Sequence, residues 1–246
     1  MQHSFDYNLG KYRLSINYWF LIIFLLVQTG LNELGFWQLS RAQEKQDRLD
    51  LLANDHNPPI TCVSTIDKSV LNKFEKVDFE LKLARERSIL VENKIQNGEL
   101  GYHVLNIAKD PVSKKFILVN RGWVEGAANR ADIPVVALPE RDWKITGRVY
   151  PVNSQMLSQK AELEIFDKIV RLPILDTHML LLLEDEFGIT LEPYLLRLDS
   201  ESDGALKVDW AWISMTPEKH LGYALQWFGL SLAFLIISLF ALIKKR

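Results

Sequence analysis

The sequence predicts an α+β membrane protein in which two terminal transmembrane helices flank an antiparallel, β-rich, barrel-like extracytoplasmic domain with one or two helices. Three observations carry that expectation. From Leu221 to Ile243 no residue is formally charged, and at about 1.5 Å per residue a helix of that length covers a hydrocarbon core of roughly 30 Å. Leu14 to Asn32 is likewise free of formal charge. Between the two, short runs of alternating polarity separated by turn residues read as strands.

At the N-terminus, Lys11 and Arg13 precede the apolar centre Tyr18–Val27, a pattern that a secretory signal peptide also shows. No small-residue cleavage site follows. Leu34, Trp37 and Arg41 continue the helical phase through LNELGFWQLSRAQEKQDRLDLLA without proline, which predicts an uncleaved anchor whose helix projects out of the bilayer. Asn57–Pro59 breaks it.

Val77–Leu83, Ser88–Ile95, Tyr102–Ala108 and Lys115–Val124 follow as strands, with turn signals at Asn97-Gly98 and Asp110-Pro111. Their connections are too short for helical crossovers, so antiparallel pairing is expected. Lys144–Tyr150, Tyr194–Asp199 and Val208–Ile213 are further strand candidates. Thr177–Phe187 reads as a helix that stops at Gly188. A small curled sheet or barrel results.

In the last span Thr216 suits the cap, Pro217 the first turn, and Lys244, Lys245 and Arg246 close the far end. Two spans put both termini on one side, and the basic tail assigns that side to the cytoplasm; Arg41, Lys45 and Arg48 beyond the first span argue the other way. The expected organisation is a cytoplasmic segment 1–13, a transmembrane helix 14–37, a helical extension 38–56, a β-rich domain 57–215, a transmembrane helix 216–243 and a basic tail 244–246. Gly222, Gly229 and Ala233 on the last helix and Gly30 on the first are small enough for close approach.

Composition narrows the function. The 246 residues are 48% hydrophobic yet 24% charged, with the apolar excess at the ends; a net charge of −2 without a basic stripe disfavours nucleic acid. Cys62 is the only cysteine, which excludes an intramolecular disulfide and a Cys-rich metal site. His3, His56, His103, His178 and His220 are scattered, with no HExxH, no nucleophile elbow and no phosphate-binding glycine loop. His220 stands about one turn into the last helix with Tyr223 and Trp227 at i+3 and i+7 on its face. His178 and His103 read as packed residues.

Four segments in order resemble the Surfeit locus protein 1 family, membrane-embedded assembly factors for haem-copper (cytochrome c) oxidases. LGFWQLSRAQEKQDRLD is similar to the family's G-x-W-Q-x-x-R segment through Gly35, Trp37, Gln38, Arg41 and Lys45. NKIQNGELGYHVL resembles its glycine-rich strand pair, FILVNRGWV its V-N-R-G-W/F-V, and EKHLGYALQWFGLSLA its H-x-x-Y-x-x-Q-W-x-G-L. Asn106-Ile107 departs from the family's usual Thr-Pro, and Glu80 stands where a glycine is expected.

The resemblance implies a bacterial inner-membrane protein with a periplasmic domain. It implies no turnover chemistry: the protein binds haem a at the membrane interface through His220 as iron ligand and presents it to the catalytic subunit of a terminal oxidase. The haem a synthesis machinery and the lipid bilayer are the other expected partners. The macrocycle would lie against Tyr223 and Trp227. Trp37 is either a haem contact or an interfacial belt residue, and Arg41 meets either haem propionates or lipid phosphates. Gln28 and Gln226, at similar depth by residue count, are expected to bond each other or a haem substituent. Arg121, Gly122 and Trp123 are assigned to scaffold or partner contact. The alternative reading is a non-haem membrane adaptor that stabilises an oxidase assembly intermediate.

Overall fold

The computed structural model describes residues 4–9, 12–53, 58–67, 71, 74–152 and 160–245; His3, Lys11, His56, Asn57 and Arg246, invoked above, lie outside the described residues. The chain forms two compact units, Met1–Asp50 with Trp212–Arg246, and Leu51–Ala211. In chain order the strands are β1 (Ser4–Leu9), β2 (Tyr12–Asn17), β3 (Lys76–Gln96), β4 (Glu99–Lys109), β5 (Phe116–Glu125), β6 (Asp142–Pro151), β7 (Glu164–Ile165), β8 (Ile169–Leu172), β9 (Leu191–Leu198) and β10 (Ile243–Lys245). The helices are α1 (Tyr18–Ala53), α2 (Thr177–Phe187) and α3 (Pro217–Leu242).

In the first unit α1 and α3 run antiparallel and are both long and apolar enough to cross a membrane. α1 begins at Tyr18 rather than Leu14, where the Asn17 side chain accepts the Trp19 N–H at 2.8 Å and so caps an otherwise unpaired donor. Its apolar half then runs without a break into the charged half. The aromatic pairs Phe24–Phe234 and Phe36–Phe228 set the crossing, with ring centroids 5.6 and 5.2 Å apart. Beside the start of α1, β2 pairs with both β1 and β10, which joins the two chain ends in one small sheet.

The buried seam of α3 is Pro217, Ala224, Ser231 and Ser238, each seven residues after the last, with His220 beside it. A seven-residue spacing keeps one stripe facing a neighbouring helix, and small side chains let the backbones approach. The glycines expected to do this do not. Gly30, Gly222 and Gly229 would have nothing within 4 Å of an added Cβ, and Ala233 is exposed. On α1 the close approach is at Gly35, where a Cβ would fall 2.6 Å from the Phe228 ring.

The second unit is a sheet closed on itself. β3 pairs with β4, β4 with β5, β5 with β9, β9 with β6, and β6 again with β3. Closure depends on one long strand. The segments predicted as separate strands, Val77–Leu83 and Ser88–Ile95, are one 21-residue β3. Through Lys76–Lys82 it pairs with β6; from Lys82 onward it pairs with β4, with a register shift between Leu83 and Ser88 where it turns from one neighbour to the other. Asn97 and Gly98, at φ 52° and 87°, turn β3 into β4. Pairing is not wholly antiparallel: β5–β9 and β3–β8 are parallel, reached by the long excursion through β8 and α2.

Val77, Phe79 and Leu81 alternate into the barrel against Trp143, Ile145, Val149, Leu196 and Leu198. On the outer face Ile89, Leu105, Ile107, Leu118 and Leu195 pack under Met179, Leu183 and Phe187 of α2. Burial on both faces explains why β4 and β5 read as nearly continuous apolar runs. α2 is capped by Asp176, whose carboxylate accepts the Met179 N–H at 2.9 Å, and ends at Gly188 with φ 62°.

The expected strand Val208–Ile213 does not form. Lys207 makes one bridge to Trp123, and Trp210 then anchors the segment by donating Nε1–H to the Leu198 carbonyl at 2.8 Å.

Candidate functional site

His220 lies in the first turn of α3, where its N–H donates to the Thr216 carbonyl and its side chain is 8% exposed. The ring faces α1. Its Nδ1 is 2.7 Å from Oε1 of Gln38, while Nε2 makes no hydrogen bond to any described residue. With about 100° between successive helical residues, Tyr223 and Trp227 sit about 60° and 20° to one side of His220, and Pro217, Ala224 and Ser231 of the buried seam sit on the other. They form an aromatic flank, with Tyr223 45% exposed and Trp227 half-buried. One buried imidazole thus borders an open aromatic surface. Among the described residues no group of three or more His, Cys, Asp or Glu converges, so what this site offers a metal is a single nitrogen donor, the number an axial haem position takes.

Trp37, next to Gln38, and Arg41, about one turn further on, occupy the exposed side of α1. The Arg41 guanidinium lies 5.7 Å from the Trp37 ring centre and donates to Glu44 at 2.5 Å; Glu44 also meets Arg48 at 3.3 Å. Its fork is engaged by a helical neighbour, in an exposed network of small energetic weight.

The pairing expected between Gln28 and Gln226 is absent. Gln28 Nε2 donates to Ser231 Oγ at 2.6 Å, and that hydroxyl donates to Asn32 Oδ1 at 3.0 Å. Gln226 is exposed. α3 turns its serine seam, not its glutamine, towards α1.

Arg121, Gly122 and Trp123 belong to the other unit, and their geometry favours scaffold over partner contact. Arg121 is 4% exposed and donates from Nε to the Gly204 carbonyl and from Nη1 to the Ala137 carbonyl, both at 2.7 Å, and to Asn106 Oδ1 at 3.2 Å. Burial pulls its guanidinium down to about 10, so the charge persists at neutral pH. Asn106, at the departure from the family pattern, is fully buried and bridges this cation to Ser88. Gly122, at φ 122°, lies where a Cβ would meet the Lys207 carbonyl oxygen at 2.5 Å. Trp123 is buried and donates to the Lys94 carbonyl at 2.8 Å. The strand clamps the chain that returns at residues 204–207.

His103 sits edge-on to Trp210 with centroids 5.4 Å apart. Burial, with Lys94 and Arg197 nearby, lowers its imidazole to about 3, so it is a neutral packing residue.

Gln38 is the site residue that the sequence did not single out. It stood within the G-x-W-Q-x-x-R segment, but nothing in its spacing points across the hairpin to His220.

The profile of the SURF1 family matches residues 25–232. A SURF1-like protein of Rickettsia felis is 27% identical over 222 residues, covering 88% of this chain and 93% of that protein. One of Rickettsia conorii is 26% identical over 215 residues, covering 85% of each. The matched span includes α1 from its apolar half, the whole barrel and His220.

Proposed function

The chain belongs to the SURF1 family of oxidase assembly factors, and from that premise we propose that it is a haem chaperone of terminal-oxidase assembly. In this reading α1 and α3 cross the bacterial inner membrane, both termini are cytoplasmic and the barrel is periplasmic. The outward faces of the two helices are apolar, with Leu26 at 70%, Leu225 at 75% and Phe240 at 73% exposure, which suits lipid. The junction of β2 with β10 supports both termini on one side.

The observation that carries the cofactor reading is His220: a buried imidazole with one nitrogen held and the other unbonded, bordered by Tyr223 and Trp227. His220 would hold the iron of haem a, and Tyr223, Trp227 and Trp37 would shield the macrocycle from water. Arg41, on the exposed side of α1, would meet propionates by exchanging Glu44 for them. Haem supplies a coordination position; the protein binds, orients and releases it without turnover. The recipient is the oxidase catalytic subunit, with the haem a synthesis machinery as donor.

The adaptor reading draws on a different observation. The barrel carries an apolar groove of about 290 Å³ along Ile133–Leu138 and Phe166, suited to a partner segment.

The test is a pyridine-haemochrome spectrum of detergent-purified protein from cells that make haem a, beside His220→Ala. A Soret band in the wild type that collapses in the variant supports the chaperone. Folded wild type without haem supports the adaptor.

A further inference from the structure

We infer that Gln38 is a positioning residue for His220: its amide oxygen holds the imidazole proton on Nδ1, so that Nε2 keeps its lone pair and the ring plane is fixed for ligation. The inference deepens the haem reading and rests on it for the ligand.

The chemistry is determined by the acceptor. An amide oxygen can only accept, so a 2.7 Å contact to Nδ1 requires the proton there. A neutral imidazole has one N–H, which leaves Nε2 unprotonated. No other side chain among the described residues bonds the ring. Free imidazole side chains in water favour the opposite tautomer, so the hairpin selects the form that ligates through Nε2. The selection spans 182 residues of sequence. It therefore depends on the helix register, which Phe36–Phe228 and Gln28–Ser231 set lower in the pair.

The amide also matters for what it is not. A carboxylate in its place would pull the proton and strengthen the iron bond; a neutral oxygen orients the ring with less added donor strength. That suits a carrier whose cargo must leave.

The test has two readings on the full chain in detergent, with ¹⁵N-labelled histidine rings. Without haem, long-range ¹H–¹⁵N correlation spectra, with His220 assigned by its loss in His220→Ala, should show the proton on Nδ1 in the wild type. Gln38→Leu should shift the ring towards Nε2–H, and Gln38→Glu should keep it on Nδ1. With haemin added, Gln38→Leu should bind about tenfold more weakly or worse, whereas Gln38→Glu should bind at least as well as wild type with a shifted Soret band. A wild-type proton on Nε2, or a Gln38→Leu spectrum and affinity matching the wild type, overturns the inference even if Gln38→Leu is otherwise stable. Wild type that carries the proton on Nδ1 but binds haemin no better than His220→Ala overturns the haem reading and with it the ligand-positioning role, leaving the hydrogen bond.

Discussion

Gln28 on α1 donates to Ser231 on α3 at 2.6 Å, midway along the apolar stretches of both helices, and Ser231 passes the bond on to Asn32. Interhelical hydrogen bonds of this kind contribute about 0.6 kcal/mol on average and up to about 1.7. Ser231→Ala strands two amides and should lower the stability of the helical hairpin towards the upper end of that range. Gln28 Oε1 is already buried without a partner, so Gln28→Leu removes a cost along with a bond and should be milder. Denaturation of the purified protein in mixed micelles orders the two; a costlier Gln28→Leu would sink the account.

Gly35 on α1 leaves the space that the Phe228 ring of α3 fills. A Cβ at Gly35 would lie 2.6 to 2.9 Å from three Phe228 ring atoms, and the ring is braced edge-on by Phe36. Gly35→Ala should therefore cost about 1–3 kcal/mol through overpacking. In a Phe228→Ala background the same change should be nearly neutral. Strictly additive losses in a double-mutant cycle of thermal midpoints would show that the two residues are not coupled.

His103 should make the barrel acid-sensitive. Its imidazole is held near 3 in the fold, by burial first and by Lys94 and Arg197 second, against an ordinary value of 6.5. Between those values the unfolded chain binds a proton that the folded one does not, so stability is full above about pH 6.5 and falls as pH drops towards 3, at up to about 1.4 kcal/mol per unit. His103→Phe keeps a ring against Trp210 and should flatten that slope between pH 6.5 and 4.5. Equal urea-midpoint slopes in both proteins would remove His103 as the cause.

Local signals made part of this fold legible and tertiary facts hid the rest. Thr177–Phe187 and its stop at Gly188 follow from helix periodicity and an αL residue, and Asn97-Gly98 from turn chemistry. The charged run Arg85-Glu86-Arg87, after Ala84, looked like a gap between strands because edge polarity and loop polarity read alike; it is the bend of one strand. Small residues on α3 were visible, but glycine content chose Gly222 and Gly229, whereas the seven-residue spacing of Ala224, Ser231 and Ser238 marks the seam. The place of His220 in the first turn of α3 was legible. Gln38 was not, because its partner is fixed by how two distant helices cross.

Arg121 and Gly122 supply the last prediction, which separates scaffold from contact surface. Arg121 places three donors on acceptors from three segments, Gly204, Ala137 and Asn106, in a fork that a lysine ammonium does not match. Arg121→Lys should leave at least one buried acceptor unmet and cost about 1–3 kcal/mol. Gly122→Ala combines a φ of 122° with a 2.5 Å approach to the Lys207 carbonyl oxygen, which is backbone and cannot swing aside; it should cost about as much or more. Because both act on the barrel, each should lower its unfolding midpoint. A variant with an unchanged midpoint but lost association with the oxidase subunit would instead return this strand to partner contact.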